Sequence, residues 1–196
     1  MKYKIIRNII NEEFSLFLFT YFLIKRQVAL TLKNDISVNM DNIKHFLGTF
    51  GDEQIKDNYN CYSDICFETL LVVLKEKIEL KIKKKLLPTY TYARMYETGA
   101  ELKKHKDRKS CELSATLNLG GDPWPIFFKI KNTNKKIILK PGDLVFYRGC
   151  DITHWREPFK GEVCGQVFLH YVEDKELNYP YKFDRRMHLG LPSVKI

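Results

Sequence analysis

The sequence predicts an α+β fold in which helices pack on one face of a sandwich or open barrel of short strands. Three observations predict it. Two stretches before Pro88 carry apolar residues at helical spacing, the chain after Pro88 alternates with period two, and turn signals such as Gly120-Gly121-Asp122-Pro123 and Pro141-Gly142-Asp143 divide the alternating part into short runs. A chain of 196 residues suits one domain and buries about 70% of its unfolded surface. The expected division is helical support over about 1–87, a strand-rich core over about 88–174 and a tail over 175–196, all in a single domain.

The elements follow in chain order. Asn11 before Glu12 and Glu13 is a helix start, since carboxylates suit the first turn, and Phe14, Phe17, Leu18, Tyr21 and Phe22 continue at helical spacing to about Leu32. The apolar stretch Phe14–Ile24 is too short to span a bilayer, and polar Asn11, Glu12 and Glu13 precede it without a positive n-region and small-residue cleavage site in the usual arrangement, so it reads as a buried amphipathic helix. Residues 33–60, rich in Asn and Asp, read as loop. Ser63 and Asp64 offer a second cap, and Phe67, Leu70, Leu71, Leu74, Ile78 and Ile82 form one face of a helix over about 65–84, with Pro88 as its stop. Strands are expected at 89–97, 112–119, 126–130, 137–139, 144–148 and 163–172. On the strand at 112–119, Glu112, Ser114, Thr116 and Asn118 form a polar face that suits a pocket wall, and Leu113, Ala115, Leu117 and Leu119 form the face set against the helices.

Composition excludes several classes. Charged residues at 29% and aromatics at 13% are globular values, not those of a disordered chain. The five cysteines, Cys61, Cys66, Cys111, Cys150 and Cys164, form no CxxC pair, which argues against a disulfide framework or a thiolate zinc site and for a reducing, cytoplasmic setting. The net charge of +9 permits an anionic partner. The clearest basic run, Lys81–Lys85, lies at a helix end, and no aromatic-plus-basic signature marks a nucleic-acid surface.

The chemistry-bearing constellation is His105-Lys106-Asp107 with His154 farther on. Two histidines and one carboxylate can hold non-haem Fe(II) as a facial triad and leave positions open for other ligands. Around this trio stand Tyr96-Glu97-Thr98-Gly99, then Leu139-Lys140-Pro141-Gly142-Asp143 feeding a strand, then His154 just past that strand, then Gly161 and a last strand. In this order and spacing the stretch 88–174 resembles the 2-oxoglutarate/Fe(II)-dependent dioxygenase superfamily, in particular its prolyl-hydroxylase-like branch.

The resemblance implies a double-stranded β-helix (jelly-roll) core with two N-terminal supporting helices. It implies His105, Asp107 and His154 as iron ligands, Fe(II) and 2-oxoglutarate as cofactor and cosubstrate, with ascorbate as an accessory, and Tyr96 as a hydrogen-bond partner of the distal carboxylate of 2-oxoglutarate. One departure stands out. Family members place Lys or Arg nine or ten residues after the second histidine, where this chain has Val163 and Cys164. A dicarboxylate in a dry pocket needs a cationic donor. Arg94, which shares a strand face with Tyr96, is the first candidate, with Arg148, Arg156 and Lys160 as alternatives and Gln166 as a neutral donor from the last strand. Arg108, Trp155 and Arg156 are candidates to meet substrate. The implied reaction is hydroxylation of a C–H bond in a peptide, protein or amino-acid side chain, coupled to conversion of 2-oxoglutarate to succinate and carbon dioxide. The competing readings are an oxygenase or demethylase directed at nucleic acid and a non-catalytic jelly-roll binding module.

Overall fold

A computed structural model describes residues 2–193. In chain order its elements are β1 (Tyr3–Ile6), α1 (Glu12–Lys33), α2 (Met40–Leu47), β2 (Thr49–Phe50), β3 (Tyr59–Tyr62), α3 (Ile65–Ile82), β4 (Leu86–Glu97), β5 (Leu102–His105), β6 (Leu113–Gly121), β7 (Ile126–Ile130), β8 (Thr133–Ile137), β9 (Leu144–Tyr147), β10 (His154–Arg156) and β11 (Val163–Glu173). The strands form a seven-stranded sheet in the order β1-β9-β6-β11-β4-β3-β2 and a four-stranded sheet in the order β5-β10-β7-β8. Every pairing is antiparallel. The sheets face each other: Tyr96 of the large sheet meets Trp124 with ring centroids 4.6 Å apart, and Tyr147 meets Phe128 at 4.8 Å. This is the jelly roll that the resemblance implies.

The helices begin where capping chemistry places them. Asn11 Oδ1 accepts from Phe14 N at 2.9 Å, and Asp64 Oδ1 accepts from Phe67 N at 3.1 Å, each satisfying an orphan donor of the first turn. Both helices lie on the outer face of the large sheet. There Leu18, Phe22, Phe67, Leu71, Leu74 and Ile78 bury against Ala93, Met95, Ala115, Leu117, Val167 and Leu169. Polar ties fix the docking: Ser15 Oγ donates to Leu119 O at 2.9 Å, and Tyr21 Oη donates to Asp64 Oδ2 at 2.7 Å, joining α1 to the cap of α3. Gly120 and Gly165 sit beneath the Phe19 ring, so a Cβ at either would come within 2.8 Å or 2.7 Å of ring carbons. Their lack of a side chain is what lets α1 come down on the sheet.

Several expectations are corrected. Residues 33–60 hold α2, β2 and β3 rather than loop alone, because Asn39 caps a two-turn helix too short to show a period. Pro88 does not stop the second helix. Lys83, in the left-handed region at φ 58°, ends it, and Pro88 lies inside β4 beside the register shift at His170/Tyr171, where a missing N–H is tolerated. The strand expected at 137–139 is instead β8, Thr133–Ile137, a lysine-rich edge. The apolar segment near the N-terminus is longer than its hydropathy core suggests: α1 is one helix long and apolar enough, by length and composition, to cross a membrane. Leu18, Phe22 and Ala29 bury in the core, while Leu16, Phe17 and Ile24 are exposed.

The C-terminal segment is more than an edge tail. Residues 176–185 form two short helical turns, and the chain then folds back so that Arg186 is buried against Glu68 of α3 at 2.7 Å. Phe183, Asp184 and Arg185 all take positive φ, which turns Asp184 toward Arg108 and Tyr62.

Candidate active site

Alternation along the strands of the large sheet sends one set of side chains to the helices and the other into the space between the sheets. The inward set is Tyr90, Tyr92, Arg94 and Tyr96 of β4, Ser114 and Thr116 of β6, Tyr147 of β9, and Gln166, Phe168 and His170 of β11. Tyr90, Tyr92, Arg94, Tyr96, Tyr147, Phe168 and His170 line a cavity of about 480 Å³, together with His105, Asp107 and His154.

Two short strands carry the histidines, and sequence periodicity finds neither. β5 and β10 pair with each other, and His105 and His154 are direct partners in that register. Their ring centroids are 4.2 Å apart. His105 Nδ1 lies 2.8 Å from Lys103 O, and His154 Nδ1 lies 2.9 Å from Ile152 O. A carbonyl can only accept, so each Nδ1 carries the proton and each Nε2 is left with a free lone pair. Both Nε2 atoms face Asp107 Oδ1, at 3.6 Å and 3.4 Å. One ligand atom from each residue fits within a 4.8 Å span, the spacing for a single ion.

Asp107 is itself positioned. Its Oδ2 accepts from Ser114 Oγ at 2.8 Å, which turns Oδ1 toward the histidines, and Ser114 Oγ lies 3.0 Å from His170 Nδ1. Its backbone N–H donates to Gly149 O at 3.0 Å. Gly149 must be glycine for this packing, since a Cβ there would stand 2.2 Å from Asp107 Oδ2. Burial pushes the Asp107 carboxyl up, but the surrounding polar groups, among them the Ser114 hydroxyl that donates to it, outweigh burial and hold it below its ordinary value. Burial and the neighbouring His154 hold His105 below its ordinary value. Carboxylate and neutral imidazole are the forms that bind a metal.

The remaining predicted residues divide. Tyr96 is fully buried, and its hydroxyl has no partner. Arg94 is buried as well, but it is paired with Asp52 of the loop between β2 and β3, which also accepts from Tyr92. Arg156 is 1% exposed and follows His154 on the inward face of β10. It donates through Nη1 to Trp124 O and through Nη2 to Gln166 Oε1 at 3.2 Å. Its Nε has no partner, and no carboxylate pairs with it among the described residues. Gln166 is buried between Arg156 and Cys164.

Three placements differ from expectation. Lys160 is exposed in the turn after β10 and does not line the cavity. Trp155 alternates with His154 and Arg156, so it points out of the small sheet, stacked on Phe127 at 5.5 Å under the Lys104 ammonium. Arg148 pairs with Asp151 and Glu112 outside the cavity. Arg108 does reach the cavity mouth, held by Asp184 at 2.7 Å and 2.6 Å. The residues that sequence reasoning missed are Gly149, whose demand is steric and leaves no motif, and Asp52, which a loop brings from a distant part of the chain.

No protein-family model matches the sequence, and no curated protein matches it. Solved structures do match. The carbocyclase SnoK from nogalamycin biosynthesis, described as non-haem and α-ketoglutarate-dependent, superposes with a TM-score of 0.63 at 12% identity, over 100% of this chain and 90% of that one. HygX from Streptomyces hygroscopicus, solved with nickel and 2-oxoglutarate, gives 0.60 at 8% identity, over 87% and 82%. A prolyl-4-hydroxylase from Pseudomonas putida gives 0.57 at 12% identity, over 89% and 94%. The chain thus has the fold of the 2-oxoglutarate/Fe(II)-dependent oxygenases, from end to end of the described jelly roll and its supporting helices.

Proposed function

We propose that this protein is an oxygenase that uses Fe(II) and 2-oxoglutarate to hydroxylate a C–H bond of a peptide, protein or amino-acid side chain, with release of succinate and carbon dioxide. The single observation that carries this reading is the convergence of His105 Nε2, His154 Nε2 and Asp107 Oδ1 on one point, with both Nδ1 protons committed to carbonyls. Three protein ligands from one side leave the other side of an ion open, the arrangement suited to a chelating cosubstrate and oxygen. The bound iron and cosubstrate would supply the oxidising chemistry, which no side chain of this protein can provide.

The protein's own residues hold, orient and exclude. His105, Asp107 and His154 would bind the ion, and Ser114 fixes which carboxylate oxygen is presented. Tyr96 Oη, buried without a partner, fits a hydrogen bond to a bound anion. Leu102, Ile126, Tyr147 and Phe168 give the cavity an apolar lining that keeps water from the reacting centre. The target would enter at the mouth, where Asp52, Glu53 and Gln54 stand with Lys106 and Arg108. All five cysteines are free thiols, in keeping with a reducing, cytoplasmic setting.

The test is succinate formation from 2-oxoglutarate with Fe(II) and oxygen. The wild-type protein is expected to form succinate even without its true substrate, and His154→Ala to form none while keeping the wild-type circular dichroism. Full succinate formation by His154→Ala, or none by iron-loaded wild type, would contradict the reading.

A further inference from the structure

We propose that Arg156, from the strand that carries the second histidine, binds the distal carboxylate of the cosubstrate, in place of a basic residue on the last strand. The inference rests on the oxygenase reading above and adds to it the residue that sets cosubstrate specificity.

Four observations carry it. First, the position nine or ten residues past His154 is filled by Val163 and Cys164, neither of which can hold an anion. Second, Arg156 is a buried guanidinium facing no acid. Of the deeply buried arginines, Arg94 has Asp52 and Arg186 has Glu68, but Arg156 has only a carbonyl and an amide oxygen. A buried charge in that state is costly until an anion joins it. Third, the unpartnered groups converge. Tyr96 and Arg156 both pack on Trp124, with Tyr96 at 4.6 Å ring to ring and the Arg156 guanidinium at 4.9 Å from the ring, and Tyr96 Oη and Arg156 Nε are both buried and unpaired, as is Arg94 Nε. Fourth, the reach is right. Residues two apart on one strand face stand about 7 Å apart, and the terminal carboxylates of a five-carbon chain stand about 5 Å apart from its bond lengths. A dianion with one end beside His154 is long enough to span most of the distance to Arg156, the next inward residue of β10.

Gln166 completes the arrangement. It sits on β11 two residues beyond Cys164 and accepts from Arg156 Nη2 at 3.2 Å. The last strand thus orients the guanidinium with a neutral amide instead of supplying the charge. Arg94 lines the cavity, whereas Arg156 lies behind the cavity wall beside Trp124, but Asp52 already neutralises Arg94 and ties it to the mouth.

The experiment compares two ligands on protein loaded with Mn(II), which allows binding without turnover. 2-Oxoglutarate and 2-oxobutyrate share the chelating end, and only the first has a distal carboxylate. Calorimetric titration of the wild type is expected to favour 2-oxoglutarate by a hundredfold or more, the scale of losing one partner of a buried charge pair. Arg156→Gln is expected to bring that ratio close to one with Mn(II) affinity unchanged. Arg156→Lys, which keeps the charge and loses the fork, should give an intermediate ratio and covers the case in which Arg156→Gln does not fold. Arg94→Gln should leave the ratio within a few-fold of wild type. A wild-type ratio kept in both Arg156 variants, or lost in Arg94→Gln, would overturn the assignment and leave the oxygenase reading standing. Failure of Mn(II)-loaded wild type to bind 2-oxoglutarate at all would overturn the oxygenase reading itself.

Discussion

Along β6, Leu113, Ala115, Leu117 and Leu119 bury against the helix-covered side of the large sheet, while Ser114 and Thr116 turn to the cavity between the sheets. The two faces come from alternate residues of the same strands, and alternation alone separates them. On the outer face the requirement is volume, and Leu, Phe, Ile and Val meet it with little need for direction. On the inner face nearly every side chain is polar or aromatic and must find a partner. Ser114 finds Asp107 and His170, Tyr147 stands beside Thr116 at 3.5 Å, and Tyr96 and Arg156 keep groups in reserve. The outer face is therefore the source of stability and the inner face a place where stability is given up for chemistry.

That contrast can be broken at graded cost. The largest stability effect is expected at Glu68→Gln, which leaves Arg186 buried without its acid and should lower stability by about 3–5 kcal/mol. Denaturant melts would read it, and a negligible change would mean that a buried unpaired guanidinium is tolerated here in general, removing the contrast with Arg156. Leu117→Ala, in the outer core, should cost about 2–5 kcal/mol through the cavity it opens, with metal affinity unchanged. A matching loss of metal affinity would show that the two faces are mechanically coupled. Gly149→Ala works the other way. Its Cβ displaces Asp107, so Mn(II) affinity is expected to fall about 10- to 100-fold, as when an outer-shell support is removed, with a smaller change in melting temperature.

The smallest effect concerns pH. Burial raises the Asp184 carboxyl, but hydrogen bonds from Arg108 and Tyr62 outweigh it and hold the group at about 2, below the ordinary value of 3.8. Its pairing therefore stabilises the fold fully above the unfolded value and is lost as pH falls from near 3.8 through 2. Asp184→Asn should flatten the dependence of melting temperature on pH across that window and leave it unchanged near neutrality. An equally steep curve in the variant would remove Asp184 from the account of the C-terminal segment.

Legibility in the sequence followed the same division. The outer face could be read, because helical and alternating apolar periods are the strongest local signals: both long helices begin at their Asn11 and Asp64 caps, and β7 runs over the expected Ile126–Ile130. The trio could be read as residue types at a spacing. What could not be read is how the trio is held. β5 and β10 are four and three residues long, too short for any period, and they owe their existence to each other across the small sheet. The pairing of Arg94 with Asp52 joins residues 42 positions apart through a loop whose only local features are turn signals. Alternation put Arg94 and Tyr96 on one face correctly, but it could not say that Arg94 is already neutralised and that Arg156, reached through an unseen strand, is not.

The most direct measurement is a crystal structure of protein soaked with Mn(II) and 2-oxoglutarate, with the metal located by its anomalous signal. The account expects one strong peak bonded to His105 Nε2, His154 Nε2 and Asp107 Oδ1, with the cosubstrate chelated on the open side. A metal held elsewhere, or a peak that leaves out any one of these three atoms, would contradict it.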